Sequence, residues 1–339
     1  MTSYDVPVWR AWGRYEATPV HHGGLWRGRV AAHGDRQQQL PVIGFLHVAA
    51  AGPSVGLVDA FRHGLEETGY TERQNVAIEF RWAEGDYGRI PALVAELVDL
   101  PVAVLVTGGG EGTAFAAKAA TTTIPIVCNG GTDPVKTGLV ASLSRPGGNV
   151  TGINILTSEL ATKRVGLLHD LVPTGSVFAH LVNPNFPSTE SIIEQADRAA
   201  QLLGLKTVVL KATSKTEIET AFASIREKRI GALLVASDSF FYSVRDQIVV
   251  LAAQAAIPTI FEQRGFATAG GLISYGTSLT DSYRQMGNYT GRILKGEKPA
   301  DLPFVQASKY ELVINLKTAK ALGLTIPPGV MAIADEVIE

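Results

Sequence analysis

The sequence predicts an α/β fold with two lobes, each containing a parallel sheet, and a ligand cleft between them. Two observations predict this class. From residue 41 onward, short apolar segments alternate with amphipathic segments of helical period, which is the pattern of βαβ units. The second half of the chain then repeats the pattern of the first half, which indicates two lobes of one design rather than one large sheet.

The predicted first lobe starts with the strand "VIGFLH" (42–47). The next segment, "GLVDAFRHGLEETGY" (56–70), carries apolar residues at helical spacing and is a predicted helix. The pattern continues with the strand "NVAIEFRWA", the helix "RIPALVAELVDL", the strand "VAVLVT" (102–107) and the alanine-rich helix and strand of "FAAKAATTTIPIV" (115–127).

The second half repeats this order. It contains the predicted strand "VFAHLV" (177–182), the helix "STESIIEQADRAAQLLG" (188–204), the strand "KTVVLKA", the helix "KTEIETAFASIREKR" and the strand "GALLVAS" (231–237). The segment "VLAAQAAIPTIF" (250–261) then resembles residues 115–127, with a proline leading into the strand each time. A proline is tolerated there because the first residue of a strand need not donate a ladder hydrogen bond.

Composition excludes several function classes. Hydrophobic residues make up 46% of the 339 residues and charged residues 18%, which is typical of a well-packed globular protein. Thirty basic and thirty-two acidic residues give a net charge of −2 without a basic run, so we expect no nucleic-acid partner. The single cysteine, Cys128, excludes an internal disulfide.

The first forty residues differ from the rest of the chain. They hold three of the four tryptophans and three of the seven histidines, without helical or strand periodicity. They also lack the apolar core of a secretory signal. We expect residues 1–40 to be a leader that is disordered or mis-assigned.

Residues that directly follow the predicted strands are the candidate ligand contacts, because ligands of open α/β sheets bind beyond the carboxyl ends of the strands. In the first lobe these residues are small and polar: Ser54, Gly109, Gly110, Thr113, Thr132 and Asp133. The run "GGGEGT" lacks the lysine of a P-loop and the spacing of a dinucleotide fingerprint. It predicts a helix N-terminus that suits a carboxylate as well as a phosphate, with a simple tight turn as the alternative.

The second lobe offers complementary residues after its strands. Asp238 could pair with a ligand ammonium group while Phe240 packs on an apolar part of the ligand, and Glu262 follows another strand. The alternatives are that Asp238 caps the next helix and that Phe240 belongs to the core. Asn183 could bond a ligand or stabilise its own turn.

Catalytic signatures are lacking in the sequence. We find no Gly-x-Ser-x-Gly elbow and no His-Glu-x-x-His helix, and His47 and Ser54 have no recognisable orienting partner. The prediction is therefore a binding protein without turnover, metal or cofactor.

Several long segments resemble the ABC-transporter substrate-binding protein family, in particular its branch related to tryptophan- and tyrosine-binding import proteins. They include "AFRHGLEETGY", "NVAIEFRWAEGDYGRIPALVAELV", "DPVKTGLVASLSRPGGNVTG", "GGLISYGTSLTDSYRQMGNYTGRILKGEKPADLP" and "YELVINLKTAKALGLTIPP". The resemblance covers the chain from about residue 41 to its end. It implies a type I periplasmic binding protein with two Rossmann-like lobes, which captures a small solute and presents it to a membrane permease.

The resemblance also implies the domain organisation. The first lobe would comprise residues 41–153 and 277–305, and the second lobe 154–276 and 306–339. Hinge segments are expected at 151–155, 275–278 and 305–308, and Tyr275 at the hinge joins the candidate ligand contacts. The expected ligand is an amino acid or related carboxylate, with an aromatic or branched amino acid as the leading candidate.

The resemblance implies a monomer in the periplasm that touches the membrane only through the transporter. Family members usually begin with a secretory signal, whereas this chain has none, so its localisation rests on the resemblance alone. We hypothesise a wrong start or a frame slip upstream of Gln37.

Two other function classes remain open. A ligand-sensing domain of a transcription regulator has the same two-lobe design, but it should carry a helix-turn-helix before the first lobe, and residues 1–40 show no such pattern. A nucleotide-dependent enzyme would need a working dinucleotide loop.

Overall fold

The computed structural model describes residues 40–173, 175 and 177–339. The leader predicted for residues 1–40 therefore lies, except for Leu40, outside the described residues. Among the described residues we find no helix that is long and apolar enough to cross a membrane.

The described residues form strands and helices in alternation. The strands are β1 (Val42–His47), β2 (Ala77–Trp82), β3 (Val102–Gly108), β4 (Ile126–Gly130), β5 (Val150–Asn154), β6 (Val177–Val182), β7 (Lys206–Lys211), β8 (Ala232–Val235), β9 (Thr259–Phe261), β10 (Ile273–Thr277), β11 (Val305–Gln306), β12 (Tyr310–Asn315) and β13 (Glu336–Ile338). The helices are α1 (Val55–Glu66), α2 (Ile90–Val98), α3 (Glu111–Ala120), α4 (Thr157–Leu171), α5 (Thr189–Leu202), α6 (Lys215–Glu227), α7 (Ser239–Ser243), α8 (Arg245–Gln254), α9 (Arg264–Thr268), α10 (Leu279–Leu294), α11 (Leu316–Ala321) and α12 (Pro328–Ala332).

The strands form two sheets, which confirms the predicted α/β class with two lobes. The first sheet has the order β11-β5-β4-β3-β1-β2 and the second the order β13-β12-β10-β9-β8-β6-β7. We call the first sheet with α1, α2, α3 and α10 the first lobe, and the second sheet with the remaining helices the second lobe.

Both faces of the first sheet are buried. Phe45 packs with residues of α1 and α10, whereas its neighbour Leu46 packs with residues of α2 and α3 on the other face. Because successive side chains of a strand point to opposite faces, such a doubly covered strand reads as a continuous apolar run. This explains why "VIGFLH" shows no polar alternation.

Helix α10 completes the first lobe through close contact with α1. A Cβ atom at Gly64 would lie 1.8 Å from the carbonyl oxygen of Arg284, and one at Gly287 would lie 2.1 Å from that of Phe61. Glycine at these positions lets the two helix backbones approach each other directly. Helix α1 itself is shorter than predicted, because the hydroxyl of Thr68 donates to the carbonyl of Leu65 and Gly69 (φ 85°) turns the chain away.

One strand pair departs from the predicted parallel arrangement. Strands β10 and β12 are antiparallel, whereas the other strand pairs of the described residues are parallel. The reason is the route of the chain, which leaves the second sheet after β10 and returns through the short β11. It therefore enters β12 from the opposite end.

The chain passes between the lobes three times, after β5, β10 and β11. These passages lie side by side: the hydroxyl of Thr277 donates to the carbonyl of Ile155 (2.6 Å), and the amide of Ala307 donates to the carbonyl of Asn154 (2.8 Å). Leu156, in the first passage, has a left-handed backbone (φ 54°) that non-glycine residues rarely adopt. Adjacent passages of this kind are suited to a hinge, and the predicted hinge and domain boundaries stay proposals.

Candidate functional site

A cleft lies between the lobes at the carboxyl ends of the central strands. It offers about 460 Å³ of space free of protein atoms, which includes its opening to solvent. Its aromatic walls come from both lobes. The main side chains that line it are His47, Asn129, Thr157, Phe186, Asp238, Ser239, Tyr242 and Tyr283.

The turn between β3 and α3 lines the cleft, as predicted for Gly109 and Gly110. Both glycines have positive φ angles, of 91° and 108°. A Cβ atom at Gly110 would lie 2.9 Å from the ring of Phe186 in the second lobe, and one at Gly109 would lie 2.9 Å from Val48. Glycine is therefore required both by the backbone conformation and by the close approach of the lobes.

The hydroxyl groups of two predicted contacts are used locally. The Thr113 hydroxyl donates to the carbonyl of Gly110 (2.8 Å), and the Ser54 hydroxyl donates to the carbonyl of Ala50 (2.8 Å). Both residues are fully buried, and neither lines the cleft. They shape the turns that follow β3 and β1.

Thr132 and Asp133 line a surface groove rather than the cleft. The Asp133 carboxylate accepts the amides of Val135 (2.9 Å) and Lys136 (3.2 Å) in its own turn. The Thr132 hydroxyl donates to the buried Glu111 carboxylate (3.1 Å). The structure thus places the side chains of this predicted pair outside the cleft.

Asp238 is the charged group that the structure places in the cleft. It is 3% exposed, and it accepts hydrogen bonds from the Tyr87 hydroxyl (2.7 Å), the Asn183 amide group (3.2 Å) and the Phe241 amide (2.9 Å). No basic side chain of the described residues forms an ion pair with it. Burial raises the pKa of this carboxyl, and the hydrogen bonds that it accepts partly oppose that effect.

Asp238 has the capping role considered for it and also joins the lobes, whereas its pairing with a ligand stays a prediction. Its bond to the Phe241 amide caps α7, and its other carboxylate oxygen reaches the first lobe through Tyr87. Asn183 stabilises its own turn, because its side-chain oxygen accepts the amide of Asn185 (3.0 Å). Its amide nitrogen donates to Asp238, and a bond from Asn183 to a ligand stays a prediction.

Phe240 lies beside the cleft without lining it. Its ring belongs to the second-lobe core and also packs against Gly85 of the first lobe, where a Cβ atom would come within 3.0 Å of the ring. The core alternative is thus the observed position. The aromatic rings that line the cleft from the second lobe are instead those of Phe186 and Tyr242.

Glu262 and Tyr275 lie behind the cleft wall. The Glu262 carboxylate accepts the hydroxyl of Thr157 (3.0 Å), and Thr157 lines the cleft. Arg164, which is fully buried, donates to the carbonyls of Thr157 (2.9 Å) and Tyr275 (3.4 Å). Tyr275 itself is partly buried against the second-lobe core, so it supports the wall rather than facing the cleft.

The sequence prediction missed several residues that line the cleft or close it. Phe186 lies in the segment after β6, so the rule that selected Asp238 also applied to it. His47 is the last residue of β1, just before the segment to which the rule was applied. Tyr87 gave no signal, because its partner Asp238 is 151 residues away. Asn129 is the penultimate residue of β4, so it could have been selected by the same rule.

The two lobes are in contact across the cleft. The Ser239 hydroxyl donates to the carbonyl of Gly109 (3.3 Å), and the amide of Ala50 donates to the Ser243 hydroxyl (3.2 Å). The rings of Tyr87 and Phe186 lie 6.3 Å apart between centroids. These contacts describe a closed conformation.

A profile of the family described as ABC transporter substrate binding protein matches residues 48–338, which is most of the chain. The chain belongs to the ABC transporter substrate binding protein family. The resemblance inferred from the sequence segments is therefore confirmed.

Individual members of the family and solved structures are similar to the chain over most of its length. A curated protein of Clostridioides difficile named tyrosine-binding protein is 28% identical over 268 residues, or 78% of this chain and 75% of the relative. A Streptococcus pneumoniae structure described as an ABC domain in complex with L-Trp is 28% identical, with a TM-score of 0.80 over 88% of this chain and all of the other. A Vibrio cholerae conserved domain protein is also 28% identical, with a TM-score of 0.81 and the same coverage.

More distant structures agree on the fold alone. An ABC transporter solute binding protein from Agrobacterium vitis with bound allitol is 13% identical, with a TM-score of 0.60 over 83% of this chain and 97% of the other. The chain has the predicted type I periplasmic-binding-protein architecture.

Proposed function

We propose that the protein binds an aromatic L-amino acid in the cleft between its lobes and delivers it to the permease of an ABC importer. The observation that carries the proposal is the Asp238 carboxylate, which is buried in the cleft without a basic partner among the described residues. A buried charge is costly unless it is paired. The ammonium group of an amino acid would supply that partner.

The polarity of Thr157 supports an ammonium group at this wall. Its hydroxyl proton is directed to Glu262, so the oxygen lone pairs remain as acceptors for a ligand. Glu262 and Arg164 therefore act as positioning residues behind Thr157. Asn183 has the same relation to Asp238.

The glycine turn supports a carboxylate at the opposite wall. Gly109 and Gly110 line the cleft at the N-terminus of α3, where the partial positive charge of the helix favours an anion. Of the predicted ligand contacts, we retain Gly109, Gly110 and Asp238 as direct contacts. We assign Ser54, Thr113 and Tyr275 to the support of the surrounding turns and wall.

The proposed preference for an aromatic ligand rests on the side chains that line the cleft and on the proteins similar to this chain. Phe186, Tyr242 and Tyr283 offer ring faces and edges against which an aromatic side chain can pack. Two proteins similar to this chain point the same way, one by its name, tyrosine-binding protein, and the other by its complex with L-Trp.

Delivery follows from hinge closure and from the family. Closure about the three passages would hold the ligand until the closed protein meets the permease. We place this activity outside the cytoplasmic membrane, as a monomer without catalytic turnover. The proposed lobes are residues 41–153 with 277–305, and residues 154–276 with 306–339.

A thermal-shift series followed by isothermal titration calorimetry of the full chain tests the proposal. L-tryptophan, L-tyrosine and L-phenylalanine are compared with L-leucine, D-tryptophan and NAD. At about 100 times its dissociation constant, a bound ligand stabilises the native state by about 2.7 kcal/mol. Stabilisation by an aromatic L-amino acid but not by D-tryptophan or NAD is expected. Stabilisation by NAD alone, or by none of the aromatic amino acids, contradicts the proposal.

A further inference from the structure

His47 is held in one orientation at the wall of the cleft. It ends β1, is 3% exposed, and lies between the rings of Trp82 (5.7 Å between centroids) and Tyr283 (5.9 Å). On the neighbouring strand, a Cβ atom at Gly108 would come within 2.6 Å of the imidazole Cδ2. Glycine at that position leaves room for the ring, which then cannot turn without displacing an aromatic neighbour.

The protonation of His47 follows from one hydrogen bond. Its Nδ1 accepts the amide of Ala49 at 2.8 Å, so Nδ1 carries no proton. Burial lowers the pKa of His47 to about 3, so the ring is neutral near pH 7 and its proton resides on Nε2.

The Nε2–H group has no acceptor among the residues that the structure describes. Nε2 forms no hydrogen bond with them and is not among their enclosed, unpartnered atoms, and His47 lines the cleft. A fixed donor that meets no acceptor in the described part of the chain is available to a ligand. Because it is a donor only, it pairs with an oxygen and not with another N–H group.

We propose that His47 is a specificity-determining residue whose Nε2–H donates a hydrogen bond to an oxygen of the ligand. This inference rests on the proposed function. Two oxygens of an aromatic amino acid share the required chemistry, the carboxylate and the phenol of tyrosine. His47 in the first lobe and Asp238 in the second would then recognise opposite polarities of one ligand.

Two substitutions test the roles of the two ring nitrogens of His47 separately. His47→Asn keeps an acceptor near the position of Nδ1, for the Ala49 amide, and removes the outer donor. His47→Gln places a donor near the position of Nε2 and gives up the inner acceptor. Calorimetric titration of each full-length variant with L-tryptophan, L-tyrosine, tryptamine and tyramine measures the consequence.

The expected result is that His47→Asn weakens the affinity for an amino acid about tenfold, whereas His47→Gln stays within about threefold of the wild type. If the ligand carboxylate is the acceptor, His47→Asn weakens the binding of L-tryptophan and L-tyrosine equally and leaves the binding of the two amines unchanged. If the phenol is the acceptor, His47→Asn weakens the binding of L-tyrosine and tyramine but not that of L-tryptophan.

Wild-type affinity of His47→Asn for all four compounds overturns the proposal. So does a proton on Nδ1 of His47 in a ¹⁵N NMR spectrum of the unliganded full chain, a measurement that does not depend on the variants folding. Failure of the wild type to bind any aromatic amino acid contradicts the proposed function instead, and the NMR experiment then decides the state of His47 separately.

Discussion

Two buried carboxylates, Asp238 and Glu111, join the lobes, and each of them belongs to a different lobe. Asp238 belongs to the second lobe and accepts the hydroxyl of Tyr87 from the first. Glu111 belongs to the first lobe and accepts the hydroxyl of Ser188 from the second, together with the amide of Gly131 and the hydroxyl of Thr132.

The two carboxylates differ in what else they can reach. Asp238 lines the cleft, whereas Glu111 lines a surface groove outside it. Glu111 can therefore hold the lobes together whether or not a ligand is present. Asp238 faces the cleft and the opposite lobe at once, so a ligand bound to it would couple binding to closure. The two carboxylates thus have similar burial and similar hydrogen bonds, but their different positions relative to the cleft give them different roles.

The largest effect is expected for Asp238→Asn. The amide still accepts the Phe241 amide hydrogen and keeps the cap of α7, but it leaves the ligand ammonium without its counter-charge. Loss of one partner of a buried ion pair typically costs about 3–5 kcal/mol, so the dissociation constant should rise at least about 100-fold. Titration calorimetry with L-tryptophan measures it. The control is Asp246→Asn, at an exposed aspartate, and an equal loss in both variants contradicts the role of Asp238.

A smaller effect is expected for Tyr87→Phe. The ring still packs on Phe186, but the hydrogen bond to Asp238 across the lobes is lost. A bond to a charged group contributes about 1.5 kcal/mol or more, so the affinity should fall about tenfold. Tyr289→Phe is the control, since it removes a hydroxyl that bonds to Pro303 within the first lobe. It should lower the melting temperature without weakening binding, and equal weakening by both variants would argue against coupling through Tyr87.

A weaker effect on ligand affinity is expected for Ser188→Ala, which changes a hydrogen-bond partner of Glu111. This change removes a donor that reaches Glu111 from the second lobe, whereas Thr132→Val removes one from the same lobe. Only the first bond is made on closure, and a typical hydrogen bond contributes about 1 kcal/mol. The affinity should therefore fall about fivefold in Ser188→Ala and remain unchanged in Thr132→Val. If the two variants bind equally well, Glu111 has no part in closure.

The smallest effect near neutral pH is expected from acidification. Burial raises the pKa of Asp238 above its ordinary value of 3.8, and only the ionised carboxylate attracts an ammonium group. Affinity should therefore be complete above the raised pKa and decline as the pH falls through it, approaching about tenfold per pH unit below it. The pKa of His47 is about 3, so the His47 ring stays neutral at pH values well above 3. Titrations from pH 8 downward, through the raised pKa of Asp238, should show this decline in the wild type and a flat profile in Asp238→Asn; the same slope in both would assign the effect elsewhere.

The fold could be predicted because its signals are local. The apolar run of β1, the helical spacing in α1 and the alanine-rich helix α3 followed by β4 each lie within a few residues of one another. The antiparallel pairing of β10 with β12 could not be read from either strand, because it depends on the route of the chain through the first lobe.

The cleft could be predicted only in part. The rule that ligands bind after the strands selected Gly109, Gly110 and Asp238, which line it. The same rule selected Thr113 and Asp133, whose polar groups bond within their own turns, because a sequence does not show whether a hydroxyl or carboxylate is already used locally. The rule could not select Tyr87, because the contact of Tyr87 with Asp238 exists only where the two lobes meet.

A crystal structure of the full chain with a bound aromatic L-amino acid tests the central claim most directly. We predict that the ammonium nitrogen lies within about 3.2 Å of an Asp238 carboxylate oxygen, with the aromatic side chain between rings that line the cleft. A ligand whose ammonium group contacts neither Asp238 oxygen, or one that binds outside the cleft, would contradict the account.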